Sequence, residues 1–274
     1  MAWRLLDFQQ CSIFENMAID EAIFHETIKR QKPPTIRFYS SHPAAVTIGY
    51  FQDAKKELNI EQCRRERIDV ARRITGGRAV LHLNEVTYAL VAGESEKIFP
   101  ADIQGAYKII SACIARGLRH LGIDAWLAEE GRCMKKEVIN PCCFATPLKN
   151  ELLAGGRKIC GSAQARKRGG FLQHGLLPLT FDAQKTADII LTGGFSGRVE
   201  ALKSTVTGIS EELARRMEVR EICATLKRGF MEELGIRMEQ GTLTPDEEKL
   251  KNKLMKKYTD INWNIERKKY FKAV

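Results

Sequence analysis

Short runs of strand-forming residues, punctuated by glycines, occupy two stretches of this chain. The first stretch contains Ile36–Tyr39, Ala45–Gly49, Ala79–His82 and Val86–Val91, and the second runs from 150 to 179. Apolar and β-branched runs bounded by turn residues predict β-strands. Because helical patterns lie between and beyond these stretches, we expect an α+β domain with mixed or antiparallel sheets flanked by helices. The runs Ala79–His82 and Val86–Val91 predict a hairpin-like element.

Two helices are predicted in the first half of the chain. The run from Ser12 to Glu15 has the form of a capping box, in which the serine satisfies an early backbone N–H and the glutamate reaches back. It predicts a helix that continues to about Ile28. Apolar residues from Tyr107 to Leu121 recur at helical spacing, and Gly122 suits the position just after a helix end.

The chain beyond about residue 200 is predicted to be mostly helical. One helix there ends at Gly235, and another begins at Thr244, which is followed by a proline and three acidic residues. We therefore assign residues 1–240 to the main domain and residues 241–274 to a short helical C-terminal extension.

Length and cysteine usage indicate a cytoplasmic protein. The chain has 274 residues, enough for a sizeable core. It has no run close to the roughly 18 to 20 apolar residues of a membrane span, and its first residues lack the apolar segment of a signal peptide. Eight cysteines without a Cys-x-x-Cys pair favour reduced thiols over disulfides or a zinc site. We expect no bound metal and no membrane partner.

The formal net charge of +10 calls for an explanation. Lysines and arginines are spread along the chain, with a dense run from Lys249 to Lys272. Aromatic residues are not interleaved with them as in a single-strand nucleic-acid groove, and no nucleic-acid-binding motif occurs. A basic surface that docks acidic protein domains is consistent with this charge, and so is a merely solvated charged face.

The segment Arg72–His82 surrounds an adjacent glycine pair, Gly76 and Gly77. Glycines let a backbone pass close to a ligand with its amides turned inward, while Arg73 and Arg78 can supply fixed positive charge. A plain Gly-Gly turn between two strands explains the same residues. The spacing differs from that of Walker loops and dinucleotide fingerprints, so nucleotide binding does not follow from it.

Cys143 lies in a loop bounded by prolines, and Lys158 follows in what is predicted to be the next strand. Only about a few per cent of a free thiol is thiolate at neutral pH, and a close ammonium group shifts it toward that nucleophilic form. From spacing alone, the favoured interpretation is a small buried Cys143 and a surface Lys158, with Cys142 as a competing thiol. His82 and His174 are further candidates, but no Cys-His arrangement follows from the sequence.

Five motifs follow one another along the chain: Arg72–His82, Glu85–Tyr88, Pro141–Pro147, Gly156–Gln164 and Leu172–Gly175. Their sequences and order resemble those of the biotin/lipoate protein ligase family, and the earlier segment Asn16–Glu21 resembles the first helix of that family. The resemblance covers roughly residues 3 to 265. Within that family the chain is most similar to the cysteine-dependent octanoyltransferase branch.

The resemblance implies a catalytic domain of the biotin/lipoate ligase type. It implies transfer of octanoyl from acyl carrier protein to a lysine of a lipoyl domain, such as that of the glycine cleavage H protein, in lipoate biosynthesis. By the same resemblance, Cys143 is the acyl-thioester nucleophile and Lys158 lowers the pKa of its thiol. The positions matching the acyl pocket are Arg73, Thr75, Gly76, Gly77 and His82 on one wall, and Gly161, Ser162 and Ala163 on the other.

Because a thioester is already an activated acyl group, the transferase needs no ATP or other cofactor. The alternative of the same fold is an ATP-dependent lipoate–protein ligase, in which Lys158 contacts an acyl-adenylate and Cys143 is incidental. An amidotransferase that shuttles octanoyl between lipoyl domains is another. From a different class come a nucleic-acid binder and a catalytically silent acyl-carrier adaptor. The motif Pro141–Phe144 favours the transferase.

Overall fold

The computed structural model describes residues 2–128, 151–191 and 197–267. Its strands are β1 (Ala2–Cys11), β2 (Thr35–Ser41), β3 (Ala45–Ile48), β4 (Asp69–Arg72), β5 (Val80–His82), β6 (Glu85–Gly93), β7 (Ala125–Leu127), β8 (Leu152–Ala154), β9 (Arg157–Lys167), β10 (Gly170–Pro178) and β11 (Arg237–Gln240). Its helices are α1 (Ile13–Arg30), α2 (Ala54–Glu57), α3 (Ile60–Arg65), α4 (Ile103–His120), α5 (Ala183–Ile189), α6 (Arg198–Thr205), α7 (Ile209–Leu213), α8 (Val219–Leu234), α9 (Pro245–Tyr258) and α10 (Ile261–Asn264).

Eight strands form one large mixed sheet in the order β11-β1-β2-β6-β10-β9-β8-β7. The strand β1 runs parallel to both of its neighbours, and the remaining pairs are antiparallel. The predicted α+β architecture with a mixed sheet and flanking helices is therefore confirmed. The three strands predicted within 150–179 are β8, β9 and β10.

A second sheet of three strands, in the order β4-β3-β5, lies beside the large one. The predicted hairpin between Ala79–His82 and Val86–Val91 is wrong, because β5 pairs with β3 whereas β6 pairs with β2 and β10. All nine residues of β6 are buried, and both of its edges are already hydrogen-bonded. No edge of β6 is left for β5. The chain therefore passes from the small sheet into the large sheet between β5 and β6.

Helices cover both faces of the large sheet. Successive strand residues point to opposite faces, so Tyr88 and Ala89 mark the two sides. On the Tyr88 side the core contains Ile110 of α4 and Phe230 of α8. On the Ala89 side it contains residues of α1 and α9, among them Phe24 and Leu254. Within the described ranges, every helix is too short or too polar to span a membrane.

The predicted helix ends agree with the structure. Ser12 caps α1 by accepting the backbone N–H of Glu15, and α1 continues to Arg30, slightly beyond the expected end. Gly235 ends α8 in the left-handed conformation at φ 63°. Thr244 caps α9 in a complete capping box with Glu247.

The chain beyond 200 is less uniformly helical than predicted, because β11 extends the large sheet by pairing parallel with β1. The predicted division at residue 240 falls between β11 and α9. Glu21 of α1 accepts hydrogen bonds from Lys257, at 2.9 and 2.7 Å, and from the Tyr258 hydroxyl, at 2.6 Å, and so ties α9 to α1.

Candidate active site

A cavity lies between the small sheet and the large sheet, next to α1. Seven of the predicted site residues line it: Arg73, Gly77, His82, Lys158, Gly161, Ser162 and Ala163. The other lining residues are Met17, Tyr39, Thr47, Arg78, Val80, Thr87, Glu151, His174, Gly175 and Leu176. The structure therefore brings together residues that are far apart in sequence. Cys143 and Cys142 lie outside the described residues.

The glycine loop after β4 approaches β9 closely, because Gly77 has a left-handed backbone at φ 84°. A Cβ built on Gly77 would lie 3.3 Å from the Cβ of Ala163 on the opposite wall. Beneath the loop, a Cβ on Gly49 would lie only 2.0 Å from the carbonyl oxygen of Gly77. Gly77 therefore allows the loop to approach the opposite wall, and Gly49 allows the loop to pack on the end of β3. Gly76 is different, since a Cβ there would meet nothing within 4 Å.

The Arg73 guanidinium is buried, and it donates to neutral acceptors. Nη1 donates to the Thr47 hydroxyl at 2.7 Å and Nε to the Thr75 hydroxyl at 3.3 Å. Nη2 donates to the carbonyl oxygens of Gly76 and Arg78, both at 3.0 Å. Burial lowers the pKa of Arg73 to about 10, which still leaves it charged at neutral pH. Within the part of the chain that the structure describes, its ring of acceptors contains no carboxylate.

The Thr47 hydroxyl connects Arg73 to His82. It lies 3.0 Å from Nε2 of His82, whose Nδ1 lies 3.3 Å from Oε1 of Glu85. A carboxylate only accepts hydrogen bonds, so in the neutral ring Nδ1 carries the proton and Nε2 accepts from Thr47. The hydroxyl thus accepts from Arg73 and donates to His82. This arrangement fixes both the ring and the direction of each hydrogen bond.

A matching chain runs from Arg73 through Thr75 to His174. The Thr75 hydroxyl lies 2.8 Å from Nε2 of His174, and Nδ1 of His174 lies 3.2 Å from Oδ2 of Asp20. The same argument gives a Thr75 hydroxyl that accepts from Arg73 and donates to His174. Thr75 is fully buried and is not among the residues that line the cavity. Its hydroxyl is occupied by the hydrogen bonds to Arg73 and His174. His174 lies within β10.

Charge at the end of this second chain is set by Asp20 and Arg37. Burial opposes ionisation of Asp20, but the positive charge of Arg37 and the hydrogen bonds from His174 and Arg37 together outweigh it, so the pKa of the Asp20 carboxyl is held below its ordinary value. Arg37 donates to Asp20 at 2.8 Å, and the Tyr39 hydroxyl donates to the same carboxylate at 2.9 Å. Burial lowers the pKa of His174, although Asp20 opposes this. The ring is therefore neutral at physiological pH.

Lys158 also lines the cavity and is only 5% exposed, so the surface interpretation of this lysine is wrong. Its ammonium group forms an ion pair with the buried Glu151. Strands β8 and β9 are antiparallel with an irregular register, in which Leu153 pairs with Lys158. In sequence, Lys158 follows residues 129–150, which include Cys143, after the short strand β8 and a turn.

Ser162 and the neighbouring Cys160 belong to a polar group on the α4 side. The Ser162 hydroxyl lies 2.8 Å from the Tyr88 hydroxyl, and the Tyr107 hydroxyl donates to the Ser162 carbonyl oxygen. The Cys160 thiol lies 3.5 Å from the Ser162 hydroxyl. Burial raises the pKa of Cys160 to about 11, although Lys158 opposes this. Cys160 is therefore a protonated thiol at neutral pH and does not compete with Cys143 as a nucleophile.

Sequence reasoning missed four residues of this site: Asp20, Thr47, Glu85 and Glu151. Asp20 and Glu85 lay within recognised motifs but without a role. Thr47 was an ordinary strand residue in the pattern. Glu151 gave no signal, because one acidic residue before a strand is a common arrangement. Their importance comes from hydrogen bonds to residues distant in sequence, which a single sequence does not display.

Known proteins resemble this chain over nearly its whole length. Residues 12–231 match the family described as lipoyl protein ligase A/B catalytic domain. Octanoyltransferase LipM of Clostridioides difficile is 36% identical over 97% of this chain and 99% of its own. The protein of the same name from Bacillus subtilis is 37% identical over 97% and 98%, and that from Kyrpidia tusciae is 38% identical over 96% and 98%.

Solved structures agree on the fold. A lipoate-protein ligase A bound with ATP superposes with a TM-score of 0.81 at 27% identity, covering 97% of this chain and 99% of its own. A bipartite lipoate protein ligase from Thermoplasma acidophilum superposes with a TM-score of 0.82 at 26% identity, covering 100% and 98%. The curated transferases are thus more similar in sequence to this chain than these two ligases are.

Proposed function

Because this chain belongs to the lipoyl protein ligase A/B catalytic domain family, we propose that it is an octanoyltransferase that uses Cys143 as its nucleophile. It takes octanoyl from acyl carrier protein and transfers it to a lysine of a lipoyl domain, in lipoate biosynthesis. The observation that carries this proposal is the burial of Lys158 in the wall of a cavity that Gly77 and Ala163 also line. The relatives named octanoyltransferases, at 36 to 38% identity over nearly the whole chain, favour transfer over ligation.

The first half-reaction forms an acyl-enzyme. The thiolate of Cys143 attacks the thioester carbonyl of the octanoyl donor, a new carbon–sulfur bond forms, and the bond to the carrier sulfur breaks. The carrier leaves as a thiol after it takes a proton. The Lys158 ammonium favours the thiolate of Cys143 by its charge and is a source of that proton. Its pairing with Glu151 holds the lysine in place while it does so.

The second half-reaction forms the amide. The deprotonated amine of the acceptor lysine attacks the acyl-enzyme carbonyl and a carbon–nitrogen bond forms. The bond from the carbonyl carbon to the Cys143 sulfur breaks, and Cys143 leaves as thiolate. The attacking nitrogen gives up one proton to Lys158, which lost a proton in the first half-reaction and so regains its charge. Backbone amides of the glycine loop at Gly76 and Gly77 are suited to stabilise the oxyanion in both steps. Both steps are balanced without ATP, because the thioester supplies the activated acyl group.

The cavity suits an acyl chain. Met17, Tyr39, Val80 and Leu176 provide apolar surface around it. Each methylene group buried there contributes about 0.8 kcal/mol to binding. The Arg73 network closes part of the wall with neutral acceptors, and the Glu151 carboxylate, which also lines the cavity, is paired with Lys158. A chain of eight carbons would therefore be held mainly by burial and fixed in place by the walls.

The partners follow from charge and chemistry. The net charge of +10 would steer an acidic carrier toward the enzyme, and an acidic lipoyl domain likewise. We propose octanoyl-acyl carrier protein as the donor and the glycine cleavage H protein as the acceptor. Electrostatic steering predicts that the transfer rate falls as ionic strength rises, because screening shortens the range of the attraction.

The second candidate is an ATP-dependent lipoate–protein ligase, which the superposition on a ligase bound with ATP supports. Intact-mass spectrometry separates the two. The protein is incubated with octanoyl-acyl carrier protein in the absence of ATP, and in parallel with lipoate, ATP and a lipoyl domain. An octanoyl adduct that disappears in Cys143→Ala and persists in Cys142→Ala supports the transferase. Absence of any adduct, together with ATP-dependent lipoylation, refutes it.

A further inference from the structure

The last residue of β4, Arg72, is bonded to the C-terminal segment through its main chain. The strand β4 is at the edge of the small sheet, so its outward groups need partners other than β3. The Asn264 Oδ1 accepts the Arg72 N–H at 2.9 Å, and the Trp263 indole N–H donates to the Arg72 carbonyl oxygen at 3.0 Å. The side chains of α10 therefore complete the edge of β4 at the residue before Arg73.

The side chain of Arg72 strengthens this connection. It is fully buried, and all five of its acceptors are main-chain carbonyl oxygens. Two of them belong to Trp263 and Asn264, at 3.0 and 3.2 Å. The other three belong to the loop after β3, at Gly49, Tyr50 and Gln52. One guanidinium thus joins the C-terminal segment to this loop.

That loop in turn supports the wall of the cavity. The Tyr50 N–H donates to the Thr75 carbonyl oxygen at 2.8 Å, and Gly49 lies directly beneath the Gly77 carbonyl. The Arg73 N–H donates to the Ile48 carbonyl oxygen at 2.9 Å. A displacement at α10 would therefore reach Arg73 through one hydrogen bond to Arg72 and the peptide bond that follows. It would reach the glycine loop through three hydrogen bonds, from α10 to Arg72, from Arg72 to Tyr50 and from Tyr50 to Thr75.

The far side of Asn264 is also anchored. Its Nδ2 donates to the Tyr258 carbonyl oxygen at 2.6 Å, and the Tyr258 hydroxyl is bound to Glu21 of α1. Both ends of the Asn264 amide are thus occupied, and the residue is buried. This places Asn264 between a rigid support, α1 with α9, and the edge strand that carries Arg72.

We infer that Asn264 is a positioning residue for the acyl-binding wall, acting through Arg72 on Arg73 and Gly77. On this inference, which rests on the proposed function for its kinetic test, the segment 241–267 is part of the site and not an appendage. Acyl transfer depends on holding the bound chain in place, so small displacements of the wall weaken donor binding. The Lys158–Glu151 ion pair, to which the proposed function assigns the activation of Cys143, is not among the contacts of Asn264.

The test compares Asn264→Ala with Asn262→Ala, a matched variant on the same short helix. Asn262 is exposed, and its side chain donates only to Asp260. For Asn264→Ala we expect the KM for the octanoyl donor to rise by about tenfold and the backbone amides of 73–78 to exchange hydrogen faster. The rate at which iodoacetamide alkylates Cys143 should stay unchanged. Asn262→Ala should match the parent protein in all three measurements.

Two milder variants keep the inference testable if Asn264→Ala does not fold. Trp263→Phe removes only the indole donor to Arg72, and Asn264→Asp keeps the acceptor for the Arg72 N–H. Trp263→Phe should raise the KM and the exchange of 73–78 to a smaller extent, and Asn264→Asp should recover most of the loss seen with alanine. Unchanged exchange in Asn264→Ala and Trp263→Phe, relative to Asn262→Ala, would overturn the inference. Hydrogen exchange needs no transfer activity, so failure of the proposed function would show separately, as an absent acyl adduct in the parent protein.

Discussion

Replacing Thr47 by valine tests the hydrogen-bond chain from Arg73 to His82. Valine has nearly the shape of threonine but lacks the hydroxyl. The change removes the hydrogen bond from Arg73 Nη1, at 2.7 Å, and the one to His82 Nε2, at 3.0 Å. Because Thr47 is 1% exposed, bulk water does not replace the lost hydroxyl. Arg73 and His82 each keep a buried polar atom without its partner.

The magnitude follows from the two bonds. A hydrogen bond from a charged donor contributes about 1.5 to 3 kcal/mol, and a neutral one about 0.5 to 1.5 kcal/mol. We therefore expect Thr47→Val to lower the free energy of unfolding by about 2 to 4 kcal/mol. For a protein of this size each kcal/mol corresponds to roughly 2 to 4 °C in the melting temperature, so the midpoint should fall by about 4 to 16 °C.

Thr87 provides the matched control. It is also a buried threonine that lines the cavity, but its hydroxyl has no hydrogen-bond partner within the described structure. Thr87→Val should therefore leave the free energy of unfolding unchanged or raise it slightly. Thr47→Ser keeps both hydrogen bonds and loses one methyl group, so it should cost only about 1 kcal/mol.

The assay is urea unfolding of the four proteins, followed by the KM of each for an octanoyl thioester. We expect stability to decrease in the order parent, Thr47→Ser, Thr47→Val, with Thr87→Val at or above the parent. Equal losses in Thr47→Val and Thr87→Val would show that the hydroxyl of Thr47 is not used. A loss in Thr47→Ser as large as in Thr47→Val would assign the effect to packing.

Three further outcomes are expected. Burial opposes ionisation of Glu21, but a hydrogen bond from His25 and the charge of Lys257 bring its pKa to about 2. The stability that the ionised Glu21 provides is present above about pH 4.5 and is lost toward pH 2. Between pH 5 and pH 3 the free energy of unfolding should therefore fall by about 2 kcal/mol more in the parent than in Glu21→Gln. Gly49→Ala should destabilise strongly, because its Cβ would lie 2.0 Å from a carbonyl oxygen, whereas Gly76→Ala should cost little, and urea midpoints compare them. Lys158→Met should raise the pH at which octanoyl thioester acylates the enzyme, measured by intact mass from pH 6 to 9; an unchanged profile would remove the lysine from its role.

Helix ends were predictable because their causes are local. Ser12 and Thr244 accept backbone N–H groups three residues ahead at the start of a helix, and Gly235 ends a helix in the left-handed conformation. The structure confirms each of these predictions. Strand pairing is not local in this way. The sequence pattern of Ala79–His82 does not specify which strand it pairs with. Its actual partner, β3, lies more than 30 residues earlier in the chain. The hairpin prediction failed for this reason, although both strands exist.

The environment of Lys158 shows the same limit within the site. Its sequence context favoured a surface cation, since an isolated lysine costs much to bury. The structure supplies the compensation through Glu151, which the antiparallel pairing of β8 and β9 brings to the ammonium group. The pair is seven residues apart across a turn, a spacing that has no periodic signature. Family resemblance could point to the lysine, but only the register of the sheet explains how it is buried with its charge.

Arg72 and Arg73 are adjacent and chemically identical, yet the structure gives them different tasks. Consecutive residues at the end of a strand point to opposite sides, so Arg72 faces α10 and Arg73 faces the cavity. Neither guanidinium has a carboxylate partner within the described ranges, and each is held by several oxygens in fixed directions. A rigid guanidinium with five N–H donors fits such a set, whereas a lysine ammonium has three donors on a flexible stem. The two arginines therefore hold one wall of the cavity from both sides. For this reason, the glycine loop that follows them and precedes β5 can face a ligand and still be fixed in position.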